Sequence, residues 1–197
     1  MNAPANIARS TREPVAPQAG RYKLRVADYM LLDDAGAFDG GETELVDGWV
    51  NVMRPEWIPH MRIKDELSFR LRSTIDRLGL ALVTGTSGSI DISETDQPRP
   101  DIIIASAFVG DRAVRREDLL LLVEVSSSTL SFDLGEKAAT YAHAEVPEYW
   151  VADVNGRVIH RMWSPSEGQY GKRDQIEFGQ ELAAITITGL KIATDGL

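Results

Sequence analysis

Two stretches of this chain are apolar almost without interruption, Ile102-Ile103-Ile104 and Leu119 to Val125. Successive side chains of a strand point to opposite faces, so an unbroken run of this kind needs cover on both sides. Each run also carries a carboxylate. Asp101 follows Pro100 at the start of the first, and Glu124 stands between Val123 and Val125 in the second. An acid in an otherwise buried strand costs roughly several kcal/mol unless it is paired, hydrogen-bonded or bound to a cation. The loop between the runs is short enough for adjacent strands. Two carboxylates converging in this way suit a hard divalent cation such as Mg²⁺, which keeps several waters and takes one or two protein carboxylates.

The next element brings a positive group to the same place. Asp133 is expected to open a helix running to about Ala144, as N-cap with Glu136 as its capping-box partner. Lys137 then shares a face with Leu134, Ala138 and Tyr141, the residues that pack on the sheet, and points back toward the strand of Glu124. Only five residues are Lys against 16 Arg, so a lysine on that face is informative. It can orient or deprotonate an attacking water, or stabilise charge developing at phosphorus.

Around this centre the pattern predicts an α/β fold with a central mixed sheet. Val26 to Leu32 has helical spacing. Glu44 to Val52 reads as two short strands turned at Asp47-Gly48. His60 to Leu78 is the longest helix candidate, with Ile63, Leu67, Leu71, Ile75 and Leu78 on one stripe, Gly79 as its stop, and Arg62, Arg70, Arg72 and Arg77 outside. Leu80 to Val83 and Ser89 to Ile92 have strand character. Tyr149 to Val154 and Arg157 to Trp163 are strands joined at Asn155-Gly156, and Gln169 to Ile192 holds further short strands. Residues 1–20, with three prolines and no apolar run, read as a disordered tail, and 21–197 as a single domain. The tail lacks the apolar segment of a signal peptide, and no run approaches the ~20 residues that span a bilayer, so a soluble protein with no membrane partner is expected.

Taken together, Glu44-Leu-Val-Asp-Gly, His60, Pro100-Asp101, Val123-Glu124-Val125-Ser126, Asp133-x-x-x-Lys137-x-x-x-Tyr141 and Val146-Pro-Glu-Tyr-Trp-Val-x-Asp153 resemble the Uma-type restriction endonuclease family of the PD-(D/E)xK nuclease superfamily. The resemblance covers roughly residues 22–192. It implies a restriction-endonuclease-like core, with an N-terminal helix and hairpin, in which Asp101 and Glu124 hold Mg²⁺ or Mn²⁺. It adds Glu44 as a third carboxylate, and DNA as substrate. The superfamily pattern expects a lysine two residues after the second acid. Here Ser126 holds that place, and Lys137 on the following helix is the migrated replacement. Two segments depart from many relatives: Ser126-Ser127-Ser128 replaces a Leu-Ser-Pro, and Gly85-Thr86-Ser87-Gly88 replaces a Gln-containing strand.

Other residues have plainer readings. His60 is a helix-terminal residue, with contact to a phosphate or a metal-bound water as its functional alternative. Tyr141, Tyr149 and Trp150 read as packing residues, and Arg112, Arg115 and Arg116 as a solvated loop cluster. His143 and His160 lack the spacing of a metal site. There is no phosphate-binding Gly-rich loop, no Gly-x-Ser-x-Gly elbow and no His-Glu-x-x-His. An Asp101–Glu124 glycosidase pair would leave Lys137 unexplained.

With no cysteine, the chain has no disulfide scaffold, Cys-ligated zinc or thiol nucleophile, and it fits a reducing, cytoplasmic setting. Its net charge of −9 opposes non-specific grip on nucleic acid. That charge is local: residues 117–153 hold eight acids and one base, Lys137, while 54–77 and 99–116 are each mildly basic. The expectation is a metal-dependent DNA endonuclease acting as a homodimer, since cutting both strands of a duplex takes two active sites. The alternative is a non-catalytic homodimeric binding module that keeps the fold.

Overall fold

The computed structural model describes residues 21–38 and 40–197; the expected tail at 1–20 lies outside the described residues. Helix α1 (Val26–Asp34) leads into the hairpin β1 (Thr43–Val46) and β2 (Trp49–Val52), followed by the long helix α2 (Ile58–Leu78). Strands β3 (Val83–Thr86), β4 (Ile90–Asp91), β5 (Ile102–Ala105), β6 (Val114–Arg115) and β7 (Leu119–Ser126) come next. Helix α3 (Leu130–Phe132), a π-helical turn (Asp133–Lys137) and helix α4 (Ala138–His143) run on without a break in helical backbone. Strands β8 (Glu148–Asp153), β9 (Val158–Ser166), β10 (Gln169–Glu177), β11 (Glu181–Ala183) and β12 (Lys191–Ala193) complete the chain.

The central sheet is mixed, with strand order β10-β9-β8-β7-β5-β3, and only the β7–β8 pair is parallel. Its apolar runs divide by alternation between two cores. Ile102, Ile104, Leu121 and Val123 pack with Ile63, Leu67, Leu71 and Ile75 of α2. Ile103, Leu122, Tyr149 and Val151 pack with Ala138, Tyr141 and Ala142 of α4. Helices therefore cover both faces, which is why these strands show no polar alternation. Among the described residues, no helix is long and apolar enough to cross a membrane.

The β1–β2 turn follows its sequence. Asp47 and Gly48 both take positive φ, 50° and 75°, as a type I′ turn requires. Other boundaries differ from the pattern. Leu80 to Val83 is not a strand, because the Leu80 N–H bonds back to the Ile75 carbonyl at 3.1 Å, closing α2 around left-handed Gly79. The strand there is β3, pairing Val83–Thr86 with β5. Asn155-Gly156 does not make a two-residue hairpin turn. Asp153 Oδ1 accepts the N–H groups of Asn155 and Gly156 at 3.0 and 2.9 Å, and Arg157 supplies the left-handed residue of a four-residue connection.

The helix after β7 opens at Leu130, not at Asp133. Asp133 is no N-cap; it is buried and accepts the Thr129 hydroxyl at 2.6 Å. The Tyr149 hydroxyl donates to the Asp133 carbonyl at 3.0 Å, an insertion of the kind that accompanies a widened helical turn.

Glu148 pins the C-terminal segment to the sheet. Its fully buried carboxylate accepts Trp150 Nε1 (2.7 Å), the N–H of Ile185, and both the N–H and the hydroxyl of Thr186 (2.8 Å each). Glu148→Ala strands these donors without an acceptor. It is expected to lower unfolding free energy by roughly 3 kcal/mol or more, read as an earlier urea midpoint at unchanged m-value.

Candidate active site

Three separate elements bring the acids together. Ile102 pairs with Val123 across β5 and β7, so one step further along the antiparallel register sets Asp101 beside Glu124. By alternation Glu124 takes the position after Leu122 on the α4-facing side. Asp101 is fixed by the neighbouring strand, its Oδ2 accepting the Val125 N–H at 2.7 Å. Glu44 arrives with the hairpin. Leu45 exchanges backbone bonds with Gln97 at 3.2 and 2.9 Å, and Glu44 Oε2 accepts the Arg99 N–H at 3.1 Å.

Lys137 closes the group from the π-turn. Its Nζ lies 3.0 Å from Glu44 Oε2 and 3.0 Å from Glu124 Oε1. The Tyr141 hydroxyl donates to the same Glu124 oxygen at 2.8 Å. Tyr141 is thus more than a packing residue; a phenol four residues after the lysine was the available signal. Glu44, on the short hairpin strand β1, is only 4% exposed. Glu124, Asp101 and Lys137 are equally enclosed.

Burial works against the Lys137 ammonium, but Glu124, Glu44 and Asp133 outweigh it and hold its pKa above the usual lysine value. Burial also drives the Glu124 carboxyl well above the ordinary carboxylate range; Lys137 opposes this, while Asp101, Asp133 and Glu44 add to it. Asp133 is raised by burial too, against the Thr129 hydrogen bond and Lys137. Glu44, Asp101, Glu124 and Asp133 meet two ammonium groups here, Lys137 at 3.0 Å from Glu44 and Glu124 and Lys64 at 4.0 Å from Asp101. That excess of buried oxygen donors fits a hard divalent cation.

The site borders a cavity of about 1040 Å³, lined among others by Glu44, Asp101, Glu124, Lys137, Ser128 and Arg54. Beside Asp101, on α2, stands a residue the pattern did not single out. Lys64 is 8% exposed, ion-pairs with Glu56, donates to Ser87 Oγ at 3.3 Å and lies 4.0 Å from Asp101 Oδ1. The signal was there: Lys64 precedes Leu67 and Leu71 by three and seven residues, on the buried stripe. His60 Nε2 sits 3.4 Å from Asp101 Oδ1, so His60 belongs to the site wall. Burial lowers its pKa, but Asp101 and Glu56 overcome that and leave it raised. Arg112 and Arg115 instead pair with Asp34 at the end of α1 and with Asp118, and none of these four residues lines the cavity.

A family model described as "Uma2: Putative restriction endonuclease" matches residues 26–195. No curated protein matches the chain. The crystal structure of a "putative nuclease belonging to DUF820" from Anabaena variabilis ATCC 29413 superposes with a TM-score of 0.56 at 11% identity, covering 82% of this chain and 89% of that one. At that identity the likeness concerns the fold: a central mixed sheet flanked by helices.

A raised carboxylate binds its proton more tightly folded than unfolded. Glu124 therefore favours folding below the ordinary carboxylate range, and this is lost as pH rises through its elevated folded value. Glu124→Gln, which removes one of the crowded negative charges, is expected to raise the melting temperature in metal-free buffer at pH 8. The gain should vanish at pH 4. A variant less stable than wild type at pH 8 would contradict the charge excess.

Proposed function

The chain belongs to the Uma2 family, described as "Putative restriction endonuclease", and from that premise we propose that it is a metal-dependent endonuclease hydrolysing DNA phosphodiester bonds. The observation that carries this reading is Lys137, buried and held at 3.0 Å from both Glu44 and Glu124 beside the cavity. Asp101 and Glu124, with Glu44, are the residues that would hold Mg²⁺ or Mn²⁺. When bound, such a cation supplies Lewis-acid polarisation of a phosphoryl oxygen and a more acidic water.

The remaining chemistry belongs to the chain. Asp101 is oriented by the Val125 N–H and Glu124 by Tyr141, so neither carboxylate has to be ordered when substrate arrives. Lys137 keeps its proton because its pKa is raised. As an ammonium it is a donor that orients the attacking water or stabilises charge developing on the phosphoryl oxygens. Cutting both strands of a duplex takes two such sites, so we further propose that the working unit is a homodimer.

Plasmid nicking tests this. Wild type is expected to nick supercoiled DNA with Mg²⁺ or Mn²⁺ and to stop with EDTA. Asp101→Asn, Glu124→Gln and Lys137→Met are each expected to lose about 10²-fold or more. Equal activity in all four proteins sinks the catalytic assignment. No activity in any, across metal and salt conditions, favours the binding module.

A further inference from the structure

The cavity carries at its edge an aromatic side chain that the fold does not cover. Trp57 belongs to the same lining as Lys137 and the acids, yet it is 78% exposed. Val52, in that lining too, is also exposed. An exposed tryptophan forgoes one of the largest burials a side chain offers. Its backbone, by contrast, is set. Trp57 is the N-cap of α2, between Pro55 and Pro59, and its carbonyl accepts the Met61 N–H at 3.0 Å. Prolines fix φ on both sides of it, so the indole is offered from a stiff support.

We propose that Trp57 is a stacking platform for a nucleobase, and that the strand entering this cavity is unpaired DNA. The inference deepens the nuclease reading and rests on it for the kind of polymer bound. Charge decides against a duplex held by its backbone. Grip through phosphates takes several Lys or Arg, and this chain carries −9. Among the described residues, Arg54 is the one arginine in the lining. The arginines paired with acids there are Arg70, Arg99, Arg112, Arg115 and Arg161, which leaves Arg54 for a single phosphate.

Stacking on a flat indole binds a base without drawing on charge. In a duplex both faces of a base are covered by its neighbours, so the nucleotide would first have to turn out of the stack. A single strand presents its bases without that step. Phe132, also in the lining, already has the Lys137 ammonium 5.9 Å from its ring centroid, so Trp57 is the free face. At about 1040 Å³ the cavity has room for a nucleotide, since small-ligand sites run about 300–1,000 Å³.

A labelled oligothymidylate of about twelve nucleotides, within the span of a single-strand site, is titrated with the full chain and followed by anisotropy. Ca²⁺ is present, as a dication that takes oxygen ligands. Parallel probes are a blunt duplex and an abasic strand, which keeps the phosphates and lacks the bases. Wild type is expected to bind the oligothymidylate about tenfold more tightly than either. Trp57→Ala should weaken that binding about fivefold or more, while Trp57→Phe, which keeps a flat ring, stays within about threefold. Unlabelled oligothymidylate should quench tryptophan fluorescence in wild type and not in Trp57→Phe. The exposed position makes both substitutions mild for the fold. No binding by wild type, equal binding of the abasic strand, or affinity unchanged in Trp57→Ala overturns the proposal. If affinity is unchanged and Trp57→Ala sediments as a smaller species, the patch is an interface between two copies instead. Plasmid nicking is scored apart. Trp57-dependent binding without nicking removes the catalytic reading alone, and nicking with no role for Trp57 in binding removes the stacking platform alone.

Discussion

The Lys137 ammonium is the point on which the arrangement of this cavity depends. It touches Glu44 from the β1–β2 hairpin and Glu124 from β7, while itself belonging to the π-turn between α3 and α4. The hairpin is far from the other two in the chain, whereas the helix that carries the π-turn follows β7 directly. Without a cation at that spot, Glu44 and Glu124 would be two buried carboxylates facing each other, an arrangement costing several kcal/mol on the order expected for an uncompensated buried charge. The docking of the hairpin onto the segment before β5 and the charge state of this cluster are therefore linked, because Glu44 is delivered by the Leu45–Gln97 bridge.

The sheet supplies the rigidity that such a cluster needs. Glu124 occupies a position that alternation assigns to the core beside α4, following Leu122, and Asp101 continues the series of Ile103. Acids placed in core positions of strands covered on both sides have few rotamers to explore, and here the Val125 N–H and the Tyr141 hydroxyl remove most of the remainder. Groups held this way are ordered by the fold before any ligand arrives. The same placement explains the elevated Glu124 carboxyl: burial that would stabilise a leucine destabilises a carboxylate.

Much of this was legible in the sequence, for identifiable physical reasons. Asp101 and Glu124 stand out because an acid in an unbroken apolar run conflicts with its surroundings, and Lys137 because helical periodicity puts it on a buried face. Their neighbourhood in the structure follows from the short connection between β5 and β7. The burial of Glu44 was not legible locally, since it depends on a bridge to Gln97, some fifty residues away in the chain. The Asp133 capping box was a misreading of another kind: aspartate suits an N-cap in isolation, but Thr129 precedes it and Tyr149 occupies its carbonyl, so the helix begins a turn earlier. Lys64 lies on the same stripe as Leu67 and Leu71, so the periodicity that marks Lys137 marks it too.

Charge is where the global and local pictures diverge most. A net charge of −9 opposes binding to a polyanion, and the acids of residues 117–153 include Glu124 and Asp133, both lining the cavity. A phosphodiester entering the metal-free cavity would meet Glu44, Asp101, Glu124 and Asp133 with their compensation already spent on one another. Lys137 is shared between two carboxylates, and Lys64 is engaged by Glu56. Lysine charge alone thus leaves the cavity repulsive to phosphate. In the proposed nuclease, added dications would reverse that sign within a few ångströms, where screening by salt is weakest. Substrate affinity would then be conditional on cation occupancy, and an acidic chain could act on DNA without binding it indiscriminately when the metal is absent.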